Sequence, residues 1–329
     1  MADNNIRTDA TAPIVAVTGA SGFVGTWLMR QLEARAAAGN FKVVPFFAAA
    51  GPDGEDRPGS DIRDASAVAG IVEALQPMSI VHLAAIAAPT EVRQNTRHAW
   101  DVNFIGTVNL ADAILKRSPD TRLIFASSSD VYGESFNAVH GALAEDGALL
   151  PISAYGATKA AADMMLGQAA HDGLRSLRFR PFNHTGPGQS AGYVVPAFAR
   201  QIALIEKGLQ EPVMQVGNLD VERDFLDVRD VVRAYADAAL SAAPPEAGAV
   251  FNLSSGVARR IGTILEMLLS MSTCRIEIEI EVNSTAHRHG EVTSVEGNAS
   301  KAAGELGWTP AIPFEETIEA VLNDWRQRV

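Results

Sequence analysis

The sequence predicts an α/β fold: a Rossmann-type, doubly wound parallel sheet with a smaller α/β substrate domain. Three observations carry this. Apolar runs suited to buried strands alternate with longer amphipathic segments through the first half of the chain. The first run, "PIVAVTG" (13–19), leads directly into glycines spaced three apart at the start of a helix. Beyond Pro181 the rhythm breaks into the Gly- and Pro-rich "RPFNHTGPGQSAG", where a second unit begins.

The elements follow in order. "GTWLMRQLEARAAAG" (25–39) reads as a helix, "FKVVPFF" (41–47) as a strand and "DASAVAGIVEALQP" (64–77) as a helix. "SIVHLAA" (79–85) is a strand and 96–118 a helix, followed by the strand "TRLIFASSS" (121–129). A helix over 153–173 and a strand over 174–183 close this half. Later, "VRDVVRAYADAALSA" and "AVFNLSSG" look like a helix and strand that return to the main sheet. The resulting division is a flexible tail over 1–12, then a cofactor domain over 13–180 joined by 230–254. The substrate domain takes 181–229 and 255–329.

Composition narrows the function classes. The 329 residues are 47% hydrophobic and 20% charged, with a net charge of −12. Such a surface repels nucleic acid and anionic membrane, so neither is an expected partner. No apolar stretch approaches the ~20 residues that span a bilayer. The single cysteine, Cys274, cannot form an internal disulfide and suits a reducing cytoplasm, where it reads as a structural thiol. His287 and His289 stand two apart without further clustered ligands, so no metal is expected.

The segment "VAVTGASGFVGTWL" carries the first chemistry. Gly19 allows a tight turn after the strand, Gly22 a close approach to a pyrophosphate, and Gly25 tight helix–strand packing. The anion would sit on the free N–H groups of the helix start, with Ser21 and Phe23 beside it. The second strand should end on the residue that reads the adenosine ribose. Ala48–Ala50 offer no carboxylate to oppose a 2′-phosphate there, which favours NADP(H) over NAD(H). Arg57 reads as a solvated loop arginine rather than a phosphate ligand, and Asp61 and Ile62 are candidates to flank the adenine.

"SAYGATK" (153–159) places Tyr155 and Lys159 four residues apart, on one helix face with Cβ atoms ~6 Å apart. A neighbouring ammonium favours a phenolate, so Lys159 is expected to lower the Tyr155 pKa and ready it for proton exchange. "IFASSSDVYG" puts Ser127, Ser128 and Ser129 at the C-terminal end of a strand, where parallel sheets bind ligands. A Ser128 hydroxyl there can hydrogen-bond a carbonyl that accepts hydride.

With "TGASGFVG", "HLAA" (82–85), "VNFIGTVNL" (102–110), "ASSSDVYG" and "YGATK", the chain resembles the extended short-chain dehydrogenase/reductase family over nearly its whole length. The resemblance implies Ser128, Tyr155 and Lys159 as the catalytic triad of an NAD(P)-dependent oxidoreductase. It also implies that Asn103 braces the active-site helix within the cofactor site, that the Ala84–Ala85 backbone lines the cofactor, and that the protein is a homodimer.

"RPFNHTGPGQ", "ERDFLDVRDVV", "RHGEV" and "LGWTPAIPFEETI" look like the sugar-nucleotide branch of that family. They are most similar to GDP-4-keto-6-deoxy-D-mannose reductases and GDP-mannose 4,6-dehydratases. That resemblance implies a nucleotide-sugar substrate, with Asn183, Arg223 and Arg288 contacting its diphosphate or nucleotide, and Asp130 beside the sugar. The branch's dehydratases carry a glutamate where this chain has Asp130, one methylene shorter, and a 4-keto reductase needs no such base. The expected reaction is therefore reduction of a 4-keto-6-deoxy-hexose, with GDP-4-keto-6-deoxy-D-mannose to GDP-D-rhamnose as the first candidate. A 4,6-dehydratase or 4-epimerase with bound NAD remains an alternative, and a non-catalytic nucleotide sensor a remote one.

Overall fold

The computed structural model describes residues 12–46, 61–138, 141–274, 276–283 and 292–329. Arg288, Arg57, Ala48–Ala50 and the histidine pair His287 and His289 lie outside them, as does most of the expected tail.

The first half alternates strand and helix. It runs β1 (Ile14–Thr18), α1 (Phe23–Ala36), β2 (Lys42–Pro45), α2 (Ala65–Leu75) and β3 (Ser79–His82). Then come α3 (Pro89–Gln94), α4 (Thr96–Trp100), α5 (Gly106–Arg117), β4 (Arg122–Ala126) and α6 (Ser135–Ala138), followed by α7 (Ala154–Ala169) and β5 (Arg175–Pro181). The second half holds β6 (Asn183–Thr185), α8 (Val194–Glu206), β7 (Val213–Val216), β8 (Glu222–Asp227) and α9 (Val228–Leu240). It continues with β9 (Ala249–Leu253), β10 (Ala258–Arg260), α10 (Ile261–Ser270), β11 (Glu279–Val282), β12 (Ser294–Val295), α11 (Ser300–Leu306) and α12 (Phe314–Arg328).

Six strands form one parallel sheet in the order β2-β1-β3-β4-β5-β9. The chain leaves β1 for one neighbour, β2, and crosses to the other, β3. The doubly wound order thus reverses at the β1/β3 boundary, where such sheets open a crevice for ligands at their carboxyl ends. Helices α1 and α9 cover one face, and α2, α5 and α7 the other. With both faces covered, the central strands can be apolar throughout: Val15, Ala16, Val17, Ile80 and Val81 are fully buried.

A second core gathers α8, α10, α12, β7 and Phe225. Its small sheets are β10-β8-β12 with β6 on β8, and β11 on β7. Asn183 pairs with Phe225, so it shares a face with Arg223, two residues earlier on β8. Cys274 is half-buried at the edge of this core. Among the described residues, no helix is long and apolar enough to cross a membrane.

One element departs from its sequence pattern. The helix expected over 96–118 contains a π-helical turn, Asp101–Ile105, between α4 and α5. A single 3.6-residue period cannot mark it, because the extra residue re-aims the side chains without breaking the apolar stripe. The turn carries Asn103 into the interior, 1% exposed.

Candidate active site

The glycine segment closes on the β1/β3 crevice. Gly19 adopts φ +66°, a left-handed conformation, and a Cβ there would stand 2.8 Å from the Ala84 amide nitrogen. A Cβ on Gly25 would fall 2.1 Å from the Gly19 carbonyl oxygen. Only glycine lets the turn, the β3 loop and α1 meet this closely. Helix α1 starts after Gly22 with no side-chain cap, and Ser21 and Gly22 are exposed at its mouth. This cradle fits a pyrophosphate: backbone amides at a helix start, no side chain in the way, and a helix dipole favouring negative charge.

Asp61 and Ile62 sit near the crevice rim but are already engaged. Arg63 holds the Asp61 carboxylate with its Nε and Nη2 and keeps it below the usual carboxylate range. Ile62 is 5% exposed and packs on Gly106, and its carbonyl accepts from Asn109 Nδ2 at 3.1 Å.

Below the cradle runs a buried chain of polar side chains. Thr18 Oγ1 accepts from the amides of Leu83 and Ala84, both at 3.1 Å, so its own proton goes to His82 Nδ1 at 2.7 Å. His82 Nε2–H then donates to Thr107 Oγ1 at 3.0 Å, and Thr107 donates to the Asn103 carbonyl at 2.7 Å. Burial first, and then the nearby Lys159 charge, push the His82 imidazole down to about 3, so it is a neutral link. The Asn103 amide spends itself on protein. Its Oδ1 accepts from the Ile86 amide at 2.7 Å, and its Nδ2 donates to the Ile86 carbonyl and to Thr158 Oγ1, both at 3.0 Å. Asn103 thus ties the Ile86 backbone to Thr158 on α7.

Ser128, Tyr155 and Lys159 come together at the end of β4 and the start of α7. Gly156 makes this approach possible: a Cβ there would stand 2.6 Å from the Asp130 carbonyl oxygen. Ser128 Oγ accepts from the Asp130 amide at 3.1 Å, capping the 3-10 turn Ser129–Val131. Lys159 is 3% exposed; its Nζ donates to the Ala126 carbonyl at 2.7 Å and lies 4.8 Å over the Phe125 ring.

The electrostatics correct one expectation. The Tyr155 phenol is raised above its ordinary value, not lowered. Burial of the hydroxyl is the main cause, although the residue as a whole stays half open to the crevice. Asp130 and Tyr193 add to the shift, and the Ser128 hydroxyl opposes it. Lys159 does not counter this, since its own amine is held down to about 7 by burial, with Asp163 pulling the other way. Burial thus favours the protonated phenol at Tyr155.

The substrate side is lined from several elements. Asp130 lies on the crevice floor, open to water yet hemmed in by protein; desolvation raises its carboxyl and Arg223 draws it back. Tyr193 caps α8 and shares the crevice with Asp130, Tyr155 and Glu91. Sequence reasoning did not single out Tyr193, and it missed Glu91. Two signals pointed to Tyr193: it follows Gly192 at a helix start, and it is one of only four tyrosines. Asn183 is exposed on β6. His184 lies against Phe23 of the glycine segment, ring centroids 6.4 Å apart, and bonds the Phe182 carbonyl. The fold thus joins the coenzyme cradle to the segment that holds Asn183.

Comparison with known proteins matches this arrangement. The family model described as GDP-mannose 4,6 dehydratase fits residues 56–321. A GDP-6-deoxy-D-mannose reductase of Pseudomonas aeruginosa is 34% identical over 317 residues, 95% of this chain and 97% of that protein. The chain belongs to the extended short-chain dehydrogenase/reductase family, in its sugar-nucleotide branch. Another member, a dTDP-L-rhamnose 4-epimerase of Burkholderia thailandensis, is 30% identical and covers 94% of both chains. Among solved structures, RMD from Pseudomonas aeruginosa complexed with NADPH superposes with a TM-score of 0.81 at 32% identity, over 96% of this chain and all of that one. This member of the extended family is accordingly an NAD(P)-dependent enzyme of the Rossmann type.

Proposed function

We propose that this enzyme reduces the 4-keto group of a nucleotide-linked 4-keto-6-deoxy-hexose with NADPH, and that its substrate is GDP-4-keto-6-deoxy-D-mannose, giving GDP-D-rhamnose. The observation that carries this reading is the Tyr155 phenol set beside Ser128 in the crevice, in a chain 34% identical to a GDP-6-deoxy-D-mannose reductase. Reduction needs an acid at the keto oxygen. Dehydration and epimerisation both begin with oxidation at C4, which needs the phenolate. Asp130, short for reaching C5 and crowded by protein, adds no dehydratase base. The likeness to a GDP-6-deoxy-D-mannose reductase and to an NADPH-bound relative supports the same reading.

The residues divide the work between two units, 13–180 with 230–254 for the coenzyme, and 181–229 with 255–329 for the sugar nucleotide. The Gly19–Gly25 cradle, with Ser21 and Phe23 at its mouth, holds the coenzyme diphosphate, and the Ala84–Ala85 backbone lines its path. When bound, the reduced nicotinamide supplies a hydride to the keto carbon. Ser128 donates a hydrogen bond to the keto oxygen, which polarises the carbonyl. Tyr155 gives its proton to the same oxygen as negative charge develops there. Lys159 holds a ribose hydroxyl and offsets the phenolate that is left. Asn183, Arg223 and Arg288 bind the substrate diphosphate, supplying fixed donors inside a protein of net charge −12.

The test is direct. Purified protein with GDP-4-keto-6-deoxy-D-mannose should consume NADPH faster than NADH, with GDP-D-rhamnose identified by NMR. Protein purified with tightly bound NAD and no net consumption of either reduced coenzyme would instead indicate an epimerase. We also infer a homodimer paired through the helices around α5 and α7, where Ile105 and Met164 are exposed at 42% and 63%. Sedimentation should give about twice the chain mass of 34.9 kDa, and a monomer would refute the pairing.

A further inference from the structure

Beneath the active site lies a buried ionic network that the reaction above does not use. Asp163 follows Lys159 by one helical turn, as Lys159 follows Tyr155, so the three share one face of α7. Asp163 is fully buried and Arg180, on β5, is 4% exposed. Arg180 grips Asp163 with two parallel bonds, Nε to Oδ2 at 3.0 Å and Nη2 to Oδ1 at 2.9 Å. Its Nη1 donates to the Tyr132 hydroxyl at 2.9 Å and the Glu145 carbonyl at 3.0 Å. Tyr132, also fully buried, closes the turn that begins at Ser128 and donates to Asn252 Oδ1 at 2.7 Å. Arg178 adds a second cation, Nη1 to Asp163 Oδ1 at 2.9 Å. One guanidinium therefore ties the helix of Tyr155 and Lys159 to the turn of Ser128.

We propose that Asp163 and Arg180 are positioning residues for the Ser128–Tyr155–Lys159 set. The ion pair locks the catalytic face of α7 onto the Ser128 turn, and Asp163 presents its charge to Lys159 one turn away. This rests on the triad reading above. Stability alone does not account for the network, because a buried ion pair gains little over apolar residues of the same volume. The charged and titratable groups that face Asp163 and Lys159 are Arg178 and Arg180 from β5, Tyr132 from the turn before α7 and His82 from β3, while Glu145 faces Tyr132 and Tyr155 stands one turn back on α7. Of these, Asp163 is the group that favours the Lys159 ammonium against burial.

The chain has five lysines, so NMR of protein labelled with 13C at lysine Cε can follow Lys159, whose signal is assigned by its loss in Lys159→Met. Asp163→Asn removes an anion and leaves two cations, so the Lys159 titration midpoint should fall by about one pH unit. The alkaline limb of kcat should move down with it, and Asp163→Glu should restore both. Arg178→Met removes a cation and keeps the Arg180 grip, so the midpoint should rise. It also decides the matter if Asp163→Asn does not fold. Midpoints that move the same way in both variants, or stay put, overturn the proposal. The titration needs no substrate, so failure to reduce GDP-4-keto-6-deoxy-D-mannose would sink the functional reading without touching this one.

Discussion

Tyr155→Phe should lose turnover by about 10²- to 10⁴-fold while binding coenzyme as tightly as the unaltered enzyme. The phenol oxygen is the group that gives its proton to the keto oxygen, and no neighbour can replace it. Lys159, the other proton donor of the set, is assigned to the ribose hydroxyl and to the Ala126 carbonyl. Tyr193 lies across the crevice on another element, with its own phenol raised by burial. Phenylalanine keeps the ring packing, and the crevice stays the same shape. Single-turnover oxidation of NADPH in stopped flow, with coenzyme affinity measured by fluorescence, separates the two effects. Unchanged turnover in Tyr155→Phe would remove the phenol from the chemistry, and a parallel loss of coenzyme affinity would make its role structural.

Gly25→Ala should be nearly as damaging by another route. The added methyl would fall 2.1 Å from the Gly19 carbonyl oxygen and 2.8 Å from the Ala20 backbone, with no flexible side chain there to give way. Either α1 slides along β1 or the glycine turn opens. Both displace the helix start that holds the diphosphate, and a shift near 1 Å at a binding site lowers kcat/KM by about 100-fold. The crowding itself should destabilise the protein by about 1–3 kcal/mol. Coenzyme titration by calorimetry and urea unfolding measure the two losses. Full coenzyme affinity in Gly25→Ala would show that the cradle is not where the diphosphate rests.

Both residues are legible in the sequence because their signals are local. Gly25 stands at a fixed offset from the end of a strand, and Tyr155 at a fixed offset from Lys159. The alternation of apolar runs and amphipathic segments likewise marks β1 through β5. Asp163 and Arg180 leave no such signal. They lie on different elements, and nothing in the spacing says that a guanidinium on β5 reaches both α7 and Tyr132. Tyr193 and Glu91 join the crevice through contacts between distant segments, and periodicity is blind to those. The π-helical turn at Asp101–Ile105 is hidden for the opposite reason, since it changes one register inside a stripe that stays apolar.

The sequence by itself determined the doubly wound sheet, the glycine cradle and the helix that carries a tyrosine and a lysine on one face. All three are set by chemistry within a few residues of chain. Only the tertiary structure decided the charge state of that pair. Burial favours the protonated phenol where a cation-lowered one was expected, and it holds the neighbouring amine down to about 7. Desolvation sets those values, and it depends on every segment that packs around a group, wherever that segment falls along the chain.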